Sequence, residues 1–351
     1  MAGEAKSGKK ELAGFSVRLV CFSLLLCAVM VYGAYVLTPK EDYGICPMTN
    51  LYVQPRDTVD MLVIGTSLAY SGCNTNVLWR DFGIAGYALG GAEQPFWETY
   101  YLLREAMTLQ HLRLIVLDAK AACYVKDYSS RARTIQHTFG ILNPVRRIEA
   151  IFGCQENPRE ALDFVLAYPQ VHNRYANVTR EDFSWPPSNQ GRGTAWKGYI
   201  ETDMVEPHLK PGGTASVSKS LGRRSEEYVR KILELARAEG IPVIAVAFPS
   251  PDYGSDAAYF ASLWAIAEEY GVPYIDYNDP DRNVGLDYAM DFADWQHLNV
   301  RGSIKMARRL GKDLRALFEL PDRRGDPAYE SYNVCADTWY GKLNSFFSAP
   351  R

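Results

Sequence analysis

Two short segments, far apart in the sequence, contain residue types that together can activate a serine. Ile64-Gly65-Thr66-Ser67 follows an apolar run directly, and Asp294-Trp295-Gln296-His297 lies near the other end of the chain. A serine hydroxyl is a weak nucleophile unless an imidazole accepts its proton, and a carboxylate can fix the tautomer of that imidazole. The pair of segments therefore predicts nucleophilic attack by Ser67 on an acyl group.

Each segment also has an ordinary structural interpretation. Ser67 could serve only as an N-cap residue, and the Asp294–His297 segment could be a plain turn with an exposed histidine or a cap for the helix that follows. Asp291, six residues before His297, is a second candidate for the carboxylate that orients the ring. The three-residue spacing favours Asp294, because a tight turn brings that carboxylate to the imidazole Nδ1.

Taken together, the segments resemble the blocks of the SGNH/GDSL hydrolase family. Gly65-Thr66-Ser67 is similar to the first block, the GYALGG run at 86–91 to the second, and Asp294–His297 to the fifth. More narrowly, the chain resembles a membrane-anchored SGNH-like group of Gram-positive bacteria, distantly related to the D protein of teichoic-acid D-alanylation. The segments that carry this narrower resemblance are YALGGAEQPFWETYYLLREA, PSPDY, DFADWQHLN and DRRGDPAYESY.

The resemblance implies a serine esterase or O-acyltransferase acting on acyl esters of cell-envelope polysaccharide. It implies Ser67 as nucleophile, His297 as general base and Asp294 as orienter, with backbone N–H groups of Ser67 and Gly90 holding the oxyanion. The resemblance suggests an integral-membrane O-acyltransferase as a partner. No cofactor and no metal are expected from the sequence.

The sequence departs from the family pattern at three places. Thr66 replaces the aspartate of the first block, Ala88 stands where related proteins often have asparagine, and Asp118-Ala119-Lys120 follows the strand where the Gly-x-Asn-Asp of the third block is expected. The third oxyanion donor is therefore unassigned. These departures keep a second hypothesis open, that of a non-catalytic accessory or binding protein for a membrane O-acyltransferase.

Alternating apolar runs and helix-period segments must position these residues. Apolar runs at 59–65, 112–117, 241–248 and 272–277 predict strands buried on both faces of a parallel sheet. Helix-period segments at 94–107, 225–239, 257–270 and 300–318 lie among them, with Gly240 and Gly271 at helix C′ positions. This alternation predicts a three-layer α/β/α, flavodoxin-like domain with its site at the carboxyl ends of the strands.

The domain is predicted to extend over 59–335, with an insertion at about 128–222 that forms one wall of the site. A tail follows at 336–351, and a connector at 38–58 precedes the domain. Within the insertion, His172 and Arg174 could face the pocket or belong to a polar packing cluster. Trp185, Trp196 and Tyr199 could form a sugar platform, although loop aromatics more often cover a core.

Before the connector, residues 19–37 form an uncharged apolar run long enough to cross a bilayer as a helix. The basic residues of the segment 1–18 predict a cytoplasmic N-terminus and an extracytoplasmic domain. A cleaved signal peptide is the alternative, with Val31 and Gly33 as small residues before a cleavage site. The length of the run favours an uncleaved single-pass anchor. The resemblance implies that this anchor lies in a bacterial cell membrane.

Composition excludes several classes of protein. The 351 residues are 47% hydrophobic and 23% charged, which is neither a disordered chain nor a small disulfide-rich scaffold. The net charge of -3 gives no sign of a nucleic-acid binder. The seven cysteines are scattered and indicate no CxxC metal pair, and a single bridge such as Cys46 to Cys335 is conceivable.

Overall fold

The computed structural model describes residues 2–40, 43–186, 196–211 and 218–348. The strands are β1 Met61–Gly65, β2 Gly86–Gly90, β3 Leu114–Asp118, β4 Val243–Ala247 and β5 Tyr274–Asp276. The principal helices are α1 Ala2–Leu37, α2 Ile45–Leu51, α3 Ser67–Gly72, α4 Thr75–Phe82, α5 Phe96–Leu109, α6 Arg131–Thr138, α7 Pro144–Cys154, α8 Pro158–Val165, α9 Tyr168–Val171, α10 Arg223–Ala238, α11 Tyr253–Glu269, α12 Val300–Leu317 and α13 Glu330–Ser348.

The five strands form one wholly parallel sheet in the order β2-β1-β3-β4-β5. This is the flavodoxin-like order, in which the chain changes direction across the sheet between β1 and β3. Every residue of β1, β2, β3 and β4 is buried, as expected for strands covered by helices on both faces. The predicted α/β class and parallel sheet are confirmed.

The four strands predicted from apolar runs are present, with bounds that differ by up to two residues or so. The fifth strand, β2, was not predicted as a strand, because its sequence GYALG has a glycine at each end and only three side chains between them. Its register with β1 pairs Met61 with Gly86 and Gly65 with Gly90. Pairing with β1, rather than local propensity, therefore defines this strand.

Helices α5, α10, α11 and α12 correspond to the four predicted helix-period segments. Gly240 and Gly271 both have a φ of +67°, the left-handed backbone that ends a helix at glycine. Both helix ends therefore lie where the sequence places them, directly before β4 and β5.

Among the described residues, one helix is long and apolar enough to cross a membrane, the portion Gly14–Leu37 of α1. Its side chains are almost all exposed, so it is not a core helix of the α/β domain. Length and composition fit both a membrane anchor and a signal sequence. The side chains of residues 1–13, including the predicted topology-setting lysines, lie outside what the structure describes.

The insertion at 128–222 is mainly helical, with α6–α9 followed by short 3₁₀ turns at His172–Asn177 and Arg180–Phe183. Proline at the first turn and an asparagine cap begin both α7 and α8. Part of the predicted irregular piece, 187–195, and the segment 212–217 lie outside the described residues. The later part of the insertion returns to the domain, where the Ala88 N–H donates to the Lys197 carbonyl (2.9 Å).

Two segments expected to be outside the domain pack onto it. The predicted connector contains α2, in which Cys46, Met48 and Leu51 are buried. The predicted boundary at 335 falls inside α13, where Trp339 is fully buried, packs edge-on against Tyr199 and donates to Glu201 (2.7 Å). Burial of these apolar side chains removes their surface from water, and this stabilises the packing of both segments against the core.

Replacement of Trp339 by alanine is expected to lower the free energy of unfolding by about 3–5 kcal/mol, because it removes a large buried side chain and leaves Glu201 without its indole donor. Val334→Ala, at an exposed position of the same helix, is the control and is expected to change stability by less than about 0.5 kcal/mol. Denaturant unfolding of the full chain in detergent measures both. Equal effects of the two substitutions would show that α13 is not part of the core.

Candidate active site

A sharp turn between β1 and α3 holds Ser67 at the carboxyl edge of the sheet. Thr66 caps α3, since its Oγ1 accepts a hydrogen bond from the Leu68 N–H (3.2 Å). Gly65 has a φ of +150°, and a Cβ at this position would lie 2.4 Å from Cβ of Asp118. Only glycine permits this close approach of β1 to the end of β3.

The Asp118 carboxylate fixes the turn from the neighbouring strand. One of its oxygens accepts hydrogen bonds from the Thr66 N–H (2.9 Å) and from the Thr66 hydroxyl, and the other accepts from the Lys120 N–H (3.0 Å). Burial raises the pKa of Asp118, and the hydrogen bonds from Thr66 and Lys120 oppose that rise. Asp118 therefore ties together the ends of β1 and β3 beside Ser67.

A tight loop presents the second segment. Phe292 and Leu298 form an antiparallel bridge and are both buried, and the Ala293 N–H donates to the His297 carbonyl (2.8 Å). The buried pair anchors the base of the loop, so Asp294 and His297 project from its tip. Residues 291–293 and 298–300 on either side are buried, and only 294–297 between them are open to solvent.

Asn299 attaches this loop to α12 and to the insertion. Its side-chain oxygen accepts from the Arg301 and Gly302 N–H groups at the start of α12, and its Nδ2 donates to the Met290 (2.8 Å) and Met204 (3.1 Å) carbonyls. An asparagine directly before a helix is a recognisable cap in the sequence. No pattern among the neighbouring residues in the sequence indicates its second role, as a hydrogen-bond donor to two separate loops.

The three predicted side chains lie in one hydrogen-bonded chain. Ser67 Oγ is 2.7 Å from His297 Nε2, and His297 Nδ1 is 2.8 Å from Asp294 Oδ2 and 3.0 Å from Oδ1. These separations are within the range needed for proton transfer from a serine to an imidazole held by a carboxylate. Ser67 is 9% exposed, and His297 and Asp294 are partly open to solvent.

The environment of Asp294 favours its charged form. Partial burial alone would raise its pKa, but the hydrogen bond from the His297 ring and those from the Gln296 and His297 N–H groups outweigh burial and lower the pKa to about 2. Asp294 is therefore a carboxylate at neutral pH and accepts the Nδ1 proton of His297, which leaves Nε2 facing the serine.

The structure places Asp291 away from the imidazole. Its carboxylate accepts from the Asp287 N–H (2.7 Å) and pairs with Lys305 (2.6 Å), and it is almost completely buried. Asp291 thus stabilises the loop on which His297 lies, while Asp294 alone of the two contacts the ring.

The predicted oxyanion donors lie against the same turn. Ser67 is the first residue of α3, so its backbone N–H has no partner within that helix. Gly90 is aligned with Gly65, and a Cβ at Gly90 would lie 2.7 Å from the Thr66 carbonyl oxygen. Glycine at this position therefore lets the end of β2 approach the Ser67 turn closely.

Tyr70, one turn after Ser67 on α3, was not singled out from the sequence. Burial raises the pKa of Tyr70, and the nearby Ser67 side chain opposes that rise only in part, so the residue remains a neutral phenol. The ring stacks on Tyr43 at a centroid distance of 5.8 Å. Because the partner is distant in sequence, no local pattern indicates this contact.

Other residues considered from the sequence lie elsewhere. Arg174 pairs with Asp182, and His172 is exposed with its ring next to the Pro169 carbonyl. Trp196 and Tyr199 are buried in the core, and Trp185 is exposed. The first two therefore belong to the packing of the insertion, and Trp196 and Tyr199 to the hydrophobic core, as the alternative interpretations predicted.

Within the described part of the chain, no cluster of three or more histidine, cysteine or acidic residues could hold a metal ion. All seven cysteines are unbridged, and the suggested Cys46–Cys335 pairing is wrong, since the Cys335 thiol instead donates to Asn76.

Fold and site together describe a flavodoxin-like α/β protein with a Ser-His-Asp constellation at its topological switch point.

No protein-family model and no curated protein matches the chain. Among solved structures, a provisionally assigned acylhydrolase from Bacteroides fragilis is similar over 75% of this chain and 88% of its own, at 13% identity and a TM-score of 0.33. A gut microbial diltiazem-metabolizing enzyme is similar over 74% of this chain and 48% of its own, at 14% identity and a TM-score of 0.28. Likeness at this level carries no conclusion about activity.

The depressed pKa of Asp294 predicts a particular pH dependence of stability. Its ionised form stabilises the fold above the pKa of the unfolded chain, and that contribution is lost as pH falls from about 4 to about 2. The stability difference between wild type and Asp294→Asn is expected to shrink as pH falls from about 4 to about 2, because wild type loses the charged carboxylate over that range. Denaturant unfolding across this range measures it.

Asp163→Asn provides the control, because Asp163 is an exposed carboxylate on α8. This variant is expected to follow the wild-type curve throughout. If the wild-type and Asp294→Asn curves remained parallel down to pH 2, the hydrogen bonds to Asp294 would not be holding its charged form.

Proposed function

We propose that the chain is a membrane-anchored, extracytoplasmic serine esterase or O-acyltransferase of the SGNH type. Its substrates are acyl esters of cell-envelope polysaccharide, and the acyl group is carried on Ser67. The observation that carries the proposal is the 2.7 Å contact between Ser67 Oγ and His297 Nε2, completed by Asp294 at His297 Nδ1. The resemblance of the sequence blocks supports the acyl-ester class and the envelope setting.

In the first half of the reaction, Ser67 Oγ attacks the ester carbonyl carbon while its proton passes to His297 Nε2. The resulting imidazolium is stabilised by the Asp294 carboxylate. As the tetrahedral intermediate collapses, the bond to the leaving alcohol breaks and His297 returns the proton to that oxygen. The products of this half are a free alcohol and an acyl-Ser67 ester.

In the second half, a hydroxyl group replaces the alcohol that has left. His297 takes its proton as the oxygen attacks the acyl carbon, and the bond to Ser67 then breaks with return of the proton to Ser67 Oγ. Water as acceptor gives hydrolysis, and a polysaccharide hydroxyl gives transfer. In each half, the backbone N–H groups of Ser67 and Gly90 face the negative oxygen, and each such donor contributes about 2.7–4 kcal/mol to the transition state.

The membrane setting is supported by the apolar portion of α1, which ends at Leu37. Its C-terminal end is close to the α/β domain, since only seven residues further on the Gly44 N–H donates to the carbonyl of Gly90 (3.0 Å). A short connection of this kind holds the site near the bilayer. An integral-membrane O-acyltransferase as donor of the acyl group fits this position.

A fluorophosphonate probe is expected to label the wild-type chain on Ser67, because the imidazole activates the hydroxyl for attack on phosphorus with loss of fluoride. Ser67→Ala and His297→Ala should abolish labelling, whereas Ser255→Ala, at an exposed serine of α11, should label like wild type. Gel fluorescence of the purified chain measures the extent.

Cells provide the complementary test of the same proposal. Expression of the wild-type chain should alter the acyl content of surface polysaccharide, and Ser67→Ala should remove that change while the protein stays folded in the membrane. If Ser67→Ala and His297→Ala both kept the full effect, the chain would act as an accessory or binding protein for an acyltransferase.

The two carboxylates near His297 are expected to differ in their effect on the reaction. Asp294→Asn should slow labelling of Ser67 by about 10³–10⁴-fold, because the amide no longer holds the ring in the reactive tautomer. Asp291→Asn should lower the free energy of unfolding but change the labelling rate of the folded protein only a few-fold, since it contacts Lys305 instead. Labelling that is stopped at a series of times gives the rate for each variant. A larger loss of labelling rate in Asp291→Asn than in Asp294→Asn would assign the orienting role to Asp291.

A further inference from the structure

The helical insertion packs against the last turns of the apolar helix α1. A Cβ placed at Gly33 would lie 3.8 Å from the ring of Tyr168, the first residue of α9. The rings of Tyr35 and Trp185 are 6.0 Å apart, and the Tyr35 hydroxyl donates to the Ser184 carbonyl. Aromatic side chains of the insertion therefore lie beside residues that belong to the apolar run.

Polar contacts fix the insertion rigidly to the same helix end. Arg174 donates to the carbonyls of Val36 (3.1 Å) and Thr38 (3.5 Å) and pairs with the buried Asp182 (2.7 Å). Lys40 donates to the Thr38 carbonyl as well (3.0 Å). These cations satisfy carbonyls that the end of a helix leaves without partners, and they complement its dipole.

The depth of these contacts follows from helix geometry. Gly33 precedes Leu37, the last residue of α1, by four residues, which at 1.5 Å per residue is about 6 Å along the axis. If the apolar run fills the bilayer core, Tyr168 and Trp185 lie at the level of the headgroups, where tyrosine and tryptophan are enriched in membrane proteins.

The same part of the insertion exposes an unusual number of large apolar side chains. Leu166 is 69% exposed and Tyr175 75% exposed. The full set in 158–186 is Leu162, Leu166, Tyr168, Tyr175, Phe183 and Trp185. The segment carries three arginines and four carboxylates, so its character is apolar rather than basic. Such a surface fits a lipid interface better than a polyanion.

We propose that the segment 158–186, through these exposed side chains, docks into the headgroup layer of the bilayer that α1 spans. The inference rests on the membrane anchoring in the proposed function, and its occupant is a lipid surface. Two attachments, one spanning and one interfacial, fix both the height and the tilt of the α/β domain, which one spanning helix alone does not.

The docking also restricts what the site can reach. The seven residues from Leu37 to Gly44 extend at most about 25 Å, and Gly44 is hydrogen bonded to Gly90 at the edge of the site. Tyr43 stacks on Tyr70, which contacts Ser67. With the insertion held in the interface, Ser67 acts on esters presented within about that distance of the membrane surface.

The test uses the full chain, with its helix, reconstituted into phosphatidylcholine vesicles. A polarity-sensitive fluorophore is attached at Leu166→Cys and, as matched control, at Leu317→Cys. Leu317 is 52% exposed and ends α12, a helix that begins beside His297 at the site edge and runs to the opposite edge of the sheet. Both variants also carry Cys21→Ala and Cys27→Ala, because these two native cysteines are exposed on the apolar helix and would otherwise take the fluorophore.

The expected result is a blue-shifted emission at Leu166→Cys that lipids with a shallow nitroxide quench at least about twofold, and a water-like, unquenched emission at Leu317→Cys. Leu162→Cys, one turn earlier on α8, should behave like Leu166→Cys. These substitutions replace exposed leucines, so the fold is expected to tolerate them.

A water-like probe at both Leu162→Cys and Leu166→Cys, in vesicles that retain the protein through carbonate extraction, would overturn the docking while leaving the anchor intact. Loss of the protein on extraction would overturn both. Shielding of Leu166→Cys that appears only in native membranes, and never in pure lipid, would assign the surface to a membrane protein and overturn the lipid proposal. Fluorophosphonate labelling in the same vesicles reports separately on the chemistry at Ser67.

Discussion

The buried carboxylate of Asp118 is the interaction on which the site depends. It accepts both polar hydrogens of Thr66 and the N–H of Lys120, and it does so because Gly65 lets β1 approach β3 without a side chain between them. In a flavodoxin-like sheet the carboxyl ends of β1 and β3 flank the switch point, where the connections diverge to opposite faces and leave a crevice. Asp118 therefore determines where Ser67 emerges into that crevice, and the loop carrying His297 has only to reach it.

Strong, local signals made much of the fold predictable from sequence. Uninterrupted apolar runs identified four strands, and glycines after two helices marked their ends. What escaped prediction is defined by distant partners. The strand β2 is defined by its pairing with β1. Trp339 of α13 is part of the core because it packs against Tyr199, which is some 140 residues earlier. Patterns within one segment contain no information about such partners.

The residues of the site likewise fall into those that local sequence patterns indicated and those that depend on distant partners. The spacing of Asp294 and His297 was informative because a short turn imposes their contact, and the position of Ser67 after a strand placed it at the correct edge. The supporting residues were not apparent, because Asp118 reaches the Ser67 turn from a neighbouring strand and Tyr70 is held by stacking on the distant Tyr43. Asn299 is intermediate: its role as a helix cap could be predicted from its place before Val300, but its bonds to two loops could not.

The position of α13 has a consequence for biosynthesis. Its rings complete two aromatic clusters begun much earlier in the chain, with Tyr332 5.0 Å from Trp79 and Trp339 against Tyr199. Residues 330–340 are synthesised long after the five strands, so the rings of Trp79 and Tyr199 stay uncovered in the nascent chain until α13 has been made. Contacts of such long sequence separation slow folding, and intermediates that lack α13 expose apolar surface through which chains can aggregate.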